Sequence, residues 1–269
     1  MNYKRVLTIA GSDPSGGAGI EADIKTISAH GCYATAAITS VVNENTVGVY
    51  GIHEVPVDMV VGQIRSVLDD VGTDAIKIGM IYSAELVNAV AETLRAYHIR
   101  NIVVDPVMVA TSGDALMKDD LIDALKNSLF PLARVITPNI PEAIKLLGDN
   151  RSITTIDEMK DAADELAQNG LSVLIKGGHL EQNQITDVLC DCEQQAFCDF
   201  PSDKIATKNT HGTGCTLSSA IASNLALGKS LLGAVTASKV YIQEAIEAGA
   251  QYEIGNGHGP LHHFYRQWK

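Results

Sequence analysis

No stretch of this sequence reaches the roughly 18 consecutive apolar residues that a membrane-crossing helix needs, so no span is expected. Positive charge is also scarce: 20 Lys and Arg stand against 32 Asp and Glu, a formal net charge of −12. That balance opposes nucleic-acid binding across the surface. It leaves room for a nucleotide pocket, because a helix end and one or two lysines can hold phosphates locally. Internal repeats, low-complexity tracts and Pro/Gly/Ser-rich linkers are all missing, so residues 1–269 are read as one domain. The five cysteines (Cys32, Cys190, Cys192, Cys198 and Cys215) are odd in number and show no disulfide framework. Cys190 and Cys192 with Cys198 invite a zinc reading. Against it, Val188, Cys190, Cys192 and then Phe197, Asp199 alternate as a short hairpin does. Cys32, beside Gly31, reads as a core position. The first residues run straight into a strand-like segment without the apolar core of a secretion signal, and the expected compartment is the cytoplasm.

What the sequence does have is a large apolar fraction, 46%, with 19% charged residues, enough for a sizeable core. Strands are predicted at Val6–Ala10, Ala36–Val42, Ala75–Ile78, Ile102–Val104, Val135–Thr137 and Val173–Ile175. Helical patterns fill the intervals at Ala18–Ala29, Val57–Asp70, Ala84–Tyr97, Asp119–Phe130, Ile140–Leu147 and Ile156–Asn169. A hairpin over Thr186–Cys192 and Gln195–Phe200 and two final helices follow. Continuously apolar strands alternating with helices predict an α/β fold: a mostly parallel central sheet with helices on both faces. Ligands bind beyond the carboxyl ends of such strands. The polar and glycine residues gather there: Gly11 to Gly19, Asn43 to Thr46, Lys77 to Met80, Asp105 to Val107, Thr137 to Asn139, and Lys176 to His179. Together they outline one cleft.

The most informative stretch is Asn209-Thr-His-Gly-Thr-Gly-Cys-Thr-Leu-Ser-Ser219. Gly212 and Gly214 let the backbone turn tightly before an apolar run, Leu217 to Leu227, so several N–H groups can converge on one anion. The helix that follows adds its positive N-terminal end. Cys215 lies at the lip of this hole, where a helix N-terminus is expected to lower its pKa. A lysine after a strand, Lys176, and acids at neighbouring strand ends, Asp105 and Glu142, suit phosphoryl transfer. In that reading Lys176 contacts phosphate oxygens while Asp105 and Glu142 hold Mg²⁺ through water.

Three rival motifs are weaker. Gly17-Ala-Gly19-Ile-Glu-Ala22 matches a dinucleotide fingerprint, with Glu44 as the ribose acid. The loop from Ser12 to Gly17 is too long for that turn, and Asp13 would repel a pyrophosphate. Gly228-Lys229-Ser230 resembles the tail of a Walker A loop, but Ser223 stands where its leading glycine belongs. A Cys215/His211 hydrolase lacks an evident third group to orient the histidine.

Six segments in register resemble one family: Thr8 to Ile20, Lys77 to Met80, Asp105 to Met108, Thr137 to Glu142, Lys176 to His179 and Asn209 to Cys215. The resemblance, from residue 5 to the Gly257–His263 tail, is to the hydroxymethylpyrimidine/phosphomethylpyrimidine kinases of thiamine biosynthesis, which have the ribokinase-like three-layer fold. It implies two ATP-dependent phosphorylations of 4-amino-5-hydroxymethyl-2-methylpyrimidine, first of the alcohol and then of the monophosphate. Carried over by position, Cys215 is the base for the first acceptor, and the amides from Gly212 through Thr213 and Gly214 to Cys215 form the anion hole. Asp105 and the Asn139–Glu142 segment organise Mg·ATP, with Lys176, Thr213 and Lys239 near the nucleotide. The pyrimidine lies against Gly11, Asp23, Val42, Glu44, Met80 and Val107. The resemblance also implies a homodimer, through apolar surface on an early β-rich segment. His258, His262 and His263 belong to the matching tail and read as structural rather than metal-binding.

Glu44 departs from the pattern, because many relatives carry glutamine there. An amide pairs with both the ring nitrogen and the exocyclic amine of an aminopyrimidine, whereas an ionised carboxylate only accepts. Glu44 therefore either meets a protonated ring nitrogen or is itself protonated. Three other functions stay open on sequence alone: a pyridoxal kinase of the same fold, a non-catalytic ligand-binding protein, and a dehydrogenase. Ala110 to Asp114 and Gly177-Gly178 are candidate lid segments.

Overall fold

The structure is a computed structural model and describes residues 3–107, 119–149, 151–178 and 184–268. The lid candidate Ala110 to Asp114, and Met108 and His179 of the family-like segments, lie outside the described residues. In chain order come β1 (Arg5–Ala10), α1 (Gly19–Ala29), β2 (Tyr33–Ile38) and a ribbon of β3 (Ser40–Asn45) and β4 (Gly48–Glu54). Then follow α2 (Val57–Ser66), β5 (Ala75–Ile78), α3 (Ala84–Arg95), β6 (Ile102–Val104), α4 (Asp119–Ala124), β7 (Val135–Ile136), α5 (Ile140–Leu147), α6 (Ile156–Leu166) and β8 (Ser172–Ile175). A hairpin, β9 (Gln184–Asp191) and β10 (Ala196–Asp203), precedes α7 (Thr213–Ala226) and α8 (Leu231–Gly249).

The central sheet runs β10-β9-β8-β7-β6-β5-β1-β2, and its strands from β8 to β2 are all parallel. The terminal hairpin pairs antiparallel on the β8 edge. Alternate residues of each apolar strand feed two cores. Leu7, Ile9, Ile76, Ile78, Ile102, Val104 and Ile136 pack with α2 to α6; Val6, Ala75, Val103, Val135 and Leu174 pack with α7, α8 and Ile27 of α1. Both faces are covered, which is why the strands read as continuous apolar runs rather than alternating ones. Among the described residues no helix is long and apolar enough to cross a membrane.

Two local expectations are corrected. The strand predicted over Ala36–Val42 is two strands, because Thr39 turns the chain off the sheet. Its N–H donates to the Ala10 carbonyl at 2.9 Å and its hydroxyl to the Met80 carbonyl at 2.8 Å. Beyond it β3 and β4 form an antiparallel ribbon with a bulge between Asn43 and Glu44. The helix read from Leu217 starts at Thr213, which brings Cys215 into its first turn.

Candidate active site

The loop between β1 and α1 is built on one carboxylate. Asp13, 1% exposed, accepts from the N–H groups of Ser15 (2.7 Å), Gly17 (2.9 Å) and Ala18 (2.6 Å). It also meets His211 Nε2 at 2.8 Å, and these bonds hold its carboxyl well below the usual range, against the desolvation of burial. The loop amides that a pyrophosphate would need are therefore already engaged, and the dinucleotide reading loses its geometry. The same bond supplies the third orienting group that the sequence did not reveal. It ties the anion-hole loop to the first strand's loop rather than building a hydrolase, since His211 Nε2 is directed at Asp13.

Glycines let these two loops touch. Gly212 has φ +79°, and a Cβ there would lie 1.7 Å from the Gly17 carbonyl oxygen. From this corner α7 begins, and by helix geometry the N–H groups of Gly214 and Cys215 have no carbonyl one turn behind them. Thr213 is less open: its N–H and hydroxyl both turn back to the Thr210 carbonyl, at 3.3 and 2.6 Å.

Cys215 does not behave as the helix end alone suggests. Burial pushes its thiol up to about 11, outweighing the Lys77 ammonium and the Gly19 N–H, which favour thiolate. The expected depression is reversed because desolvation of the charged form is the larger effect.

Beneath the cysteine lies a buried ion pair. Lys77 donates to Asp23 at 2.7 Å, and neither side chain has exposed surface. Thr8 (2.6 Å) and Ser219 (2.7 Å) donate to the remaining acceptor positions of Asp23. The placement of Asp23 against a pyrimidine is thus corrected: its oxygens are taken, and it lies under the site, holding Lys77. Attraction from Asp23, Cys215 and Asp105 keeps Lys77 charged well above the ordinary lysine range despite its desolvation. Gly79 leaves room for the ammonium, since a Cβ there would come within 2.6 Å of Nζ.

Beside the α7 N-terminus, Lys176 Nζ donates to Asp105 Oδ1 at 2.9 Å and lies 3.9 Å from Glu142 Oε2. A Cβ on Gly214 would lie 3.2 Å from Lys176 Nζ and 3.3 Å from Asp105 Oδ2, so this group faces the first turn of α7 directly. Glu142 is fixed by local sequence: Asn139 caps α5, accepting from Glu142 N at 2.9 Å, while Glu142 Oε2 accepts from Asn139 N at 2.7 Å. Lys239 stands further off, paired with Asp187 at 2.8 Å, whose other oxygen accepts from Gly177 N at 2.9 Å. It braces the turn after Lys176.

The opposite wall is the ribbon. Ser12 joins it to the β1–α1 loop, with its N–H donating to Ser40 O at 2.9 Å and its hydroxyl accepting from Val42 N at 3.1 Å. Along β3, Ser40 and Val42 are buried and Glu44 is half-buried, all on the inward face. Gly11 packs against Met80, where a Cβ would meet the methionine methyl at 2.6 Å, and Val107 is partly exposed at the end of β6. A strap from the C-terminal side closes the ribbon. Gly257 N and His258 N donate to the Thr46 hydroxyl (3.1 Å) and carbonyl (2.9 Å), and His211 N donates to Gly259 O at 3.1 Å. In the tail, His263 meets Thr216 Oγ1 at 3.1 Å and burial presses it down to about 4, while His262 packs edge-on against Tyr252 and Trp268. These contacts support the structural reading of the tail histidines.

The structure thus joins Asp105, Asn139, Glu142, Lys176 and Gly214 in one group at the start of α7, and Gly11 with Met80 and Glu44 with Asp13 and His211 in another beside the ribbon. Sequence reasoning named Lys77 and Asp13 without a role in this site, and gave His211 only to the rival hydrolase. A signal for the first was present: a lysine inside the apolar strand Ala-Ile-Lys-Ile requires a buried counter-charge.

A parallel sheet whose strand ends carry a lysine between two carboxylates, facing a glycine-opened helix N-terminus, defines the class: a ribokinase-like phosphotransferase. The chain belongs to the phosphomethylpyrimidine kinase family, whose model matches residues 13–262. It is 47% identical over 265 residues to the hydroxymethylpyrimidine/phosphomethylpyrimidine kinase of Rhizobium meliloti, covering 98% of both chains. The crystal structure of Clostridium difficile phosphomethylpyrimidine kinase is similar, with TM-score 0.79 and 43% identity over 90% of this chain and 99% of that one. Staphylococcus aureus pyridoxal kinase in complex with AMP-PCP superposes with TM-score 0.90 at 34% identity, covering 99% of this chain and 96% of that one.

Proposed function

We propose that the chain, acting as a single domain over residues 1–269, phosphorylates 4-amino-5-hydroxymethyl-2-methylpyrimidine from ATP, and then its monophosphate, in thiamine biosynthesis. One observation carries the reading: Lys176 sits between Asp105 and Glu142 and faces the first turn of α7. In the free protein the lysine neutralises two carboxylates. With nucleotide present it turns to the phosphates, and the N–H groups of Gly214 and Cys215 receive the charge that develops on the transferred group.

Asp105 and Glu142 offer only hard oxygen donors, which fits Mg²⁺ held through water. The ion supplies neutralisation of the phosphates. Asn139 keeps Glu142 in place through the helix cap, Thr213 turns its hydroxyl from the Thr210 carbonyl, which holds it in the free protein, to the nucleotide, and Lys239 acts through Asp187 on the turn after Lys176. Gly11, Val42, Glu44, Met80 and Val107 form the pyrimidine wall, and Glu44 supplies its polar contact. In the first step Cys215, once its raised thiol has released its own proton to solvent, takes the proton of the alcohol as thiolate; the second acceptor is already an anionic phosphate and needs no base. We place the enzyme in the cytoplasm, as a homodimer joined through the outer side of the ribbon, where Val41 and, toward the turn, Val47 and Tyr50 are exposed.

The deciding experiment is product mass after incubation with Mg·ATP and the pyrimidine, with pyridoxal in parallel. A pyrimidine diphosphate is expected. Phosphorylation of pyridoxal alone would overturn the assignment, and pyrimidine monophosphate alone would confine it to the first step.

A further inference from the structure

Asp13, Glu44 and His211 bring a carboxylate oxygen each and an imidazole nitrogen within 4.8 Å of one another, near the turn of the ribbon. The donor set resembles a cation site, but Asp13 Oδ2 already accepts from Gly17 N, Ala18 N and His211 Nε2. Its lone pairs are committed to the loop. The unusual member is Glu44, a half-buried carboxyl facing a fixed carboxylate. It lies on the same inward face of β3 as Val42, at the wall assigned above to the substrate ring.

An ionised Glu44 would be poorly matched on both sides. Toward the protein it faces the Asp13 carboxylate, with Glu21 of α1 adding repulsion and only His211 attracting. Toward an aminopyrimidine it could accept from the amine but would set its second oxygen against a ring-nitrogen lone pair, acceptor against acceptor. One added proton relieves both conflicts. We infer that Glu44 binds the edge of the substrate formed by the ring nitrogen and its adjacent amine with one proton held between the Glu44 carboxyl and that nitrogen. The amine donates to one carboxyl oxygen, and the shared proton closes the second hydrogen bond from either side. The carboxyl thereby does with a proton what an amide does without one.

The free protein is prepared for this. Burial, reinforced by Asp13, pushes the Glu44 carboxyl up to about 7, so the proton is at hand near neutrality. The sign follows from linkage. Below about pH 7 the protein carries the proton before binding; above it, binding must draw one from solution and affinity falls.

This inference rests on the pyrimidine being the ligand, and the test separates the two. Calorimetry of wild-type protein with 4-amino-5-hydroxymethyl-2-methylpyrimidine, in two buffers of different ionisation heat, reads proton uptake directly. At pH 8.5 uptake near one proton is expected, with affinity falling about eightfold between pH 7.5 and 8.5. Glu44→Gln is expected to bind with no uptake and flat affinity over that range. A pyrimidine analogue carrying CH in place of the ring nitrogen beside the amine is expected to bind wild type without uptake, a check that needs no variant. Wild-type binding without uptake would overturn the inference and leave the kinase assignment standing. Uptake retained in Glu44→Gln would overturn it too, placing the proton on another group such as His211. Failure of both proteins to bind the pyrimidine would remove the ligand assignment and the inference with it.

Discussion

At rest Cys215 keeps its proton, and this shapes its role. A thiol at about 11 is almost wholly protonated at pH 7, and its thiolate fraction grows about tenfold for each pH unit until that value is approached. If the thiolate takes the alcohol's proton, kcat of the first phosphorylation rises between pH 7 and 9 while kcat of the second does not. Cys215→Ala is then expected to slow the first step roughly 10²-fold or more and the second much less, read by single-turnover product formation with each acceptor. Equal losses would recast Cys215 as part of the anion hole alone. Its neighbours below carry a different expectation. Asp23→Asn leaves the fully buried Lys77 ammonium without its counter-charge, and urea unfolding should show a loss of about 3–5 kcal/mol. A loss below about 1 kcal/mol would mean that Ser219, Thr8 and Asp105 suffice to hold the lysine. Sequence reasoning reached Cys215 and Lys176 through their motif positions but misjudged the thiol and Asp23. Burial is a property of the folded surroundings, and a helix-end rule does not include it.

The elements were more legible than the residues in them. Five of the six predicted strands, the late hairpin and α5 follow from patterns that tertiary structure reinforces, above all the continuous apolar runs of a doubly covered sheet. The ribbon was half read. Its outer side faces away from the core, and β4, with exposed residues and two glycines, carries no alternation to detect. The α7 N-terminus depends on backbone shape that only glycine permits. Gly212→Ala adds an atom 1.7 Å from the Gly17 carbonyl oxygen at φ +79°, and is expected to abolish both phosphorylations and lower Tm. Gly228→Ala is the matched control: its φ is +89° but nothing lies within 4 Å. It should cost about 1–2 kcal/mol and leave kcat intact. Similar activity losses in both variants would show that general instability, rather than the contact between the two loops, is responsible.

For the whole molecule, the fold class was legible because covering both sheet faces dictates composition along the entire chain. The joining of distant loops was not. Asp13 and His211 are separated by 198 positions, and neither looks unusual in its own segment. The same holds for association. The outer side of the ribbon exposes Val41 and Tyr50, 53% and 61% accessible, and charge placed there should split the proposed dimer. Val41→Lys with Tyr50→Lys is expected to sediment as a monomer where the wild type sediments as a dimer; a monomeric wild type would remove that reading.

The strap across Thr46 has a consequence for timing. During synthesis the ribbon, the carboxylates and the anion-hole loop all leave the ribosome before Gly257 to Gly259. Until those residues arrive, the ribbon lacks the bonds at Thr46, and His211 lacks the carbonyl that receives its N–H. A nascent chain therefore holds every reactive group of the site before it has a closed pocket. Ligand binding becomes a reporter of completed folding: a ribosome-stalled chain ending before Gly255 should fail to retain the pyrimidine, and one stalled well beyond His263 should capture it.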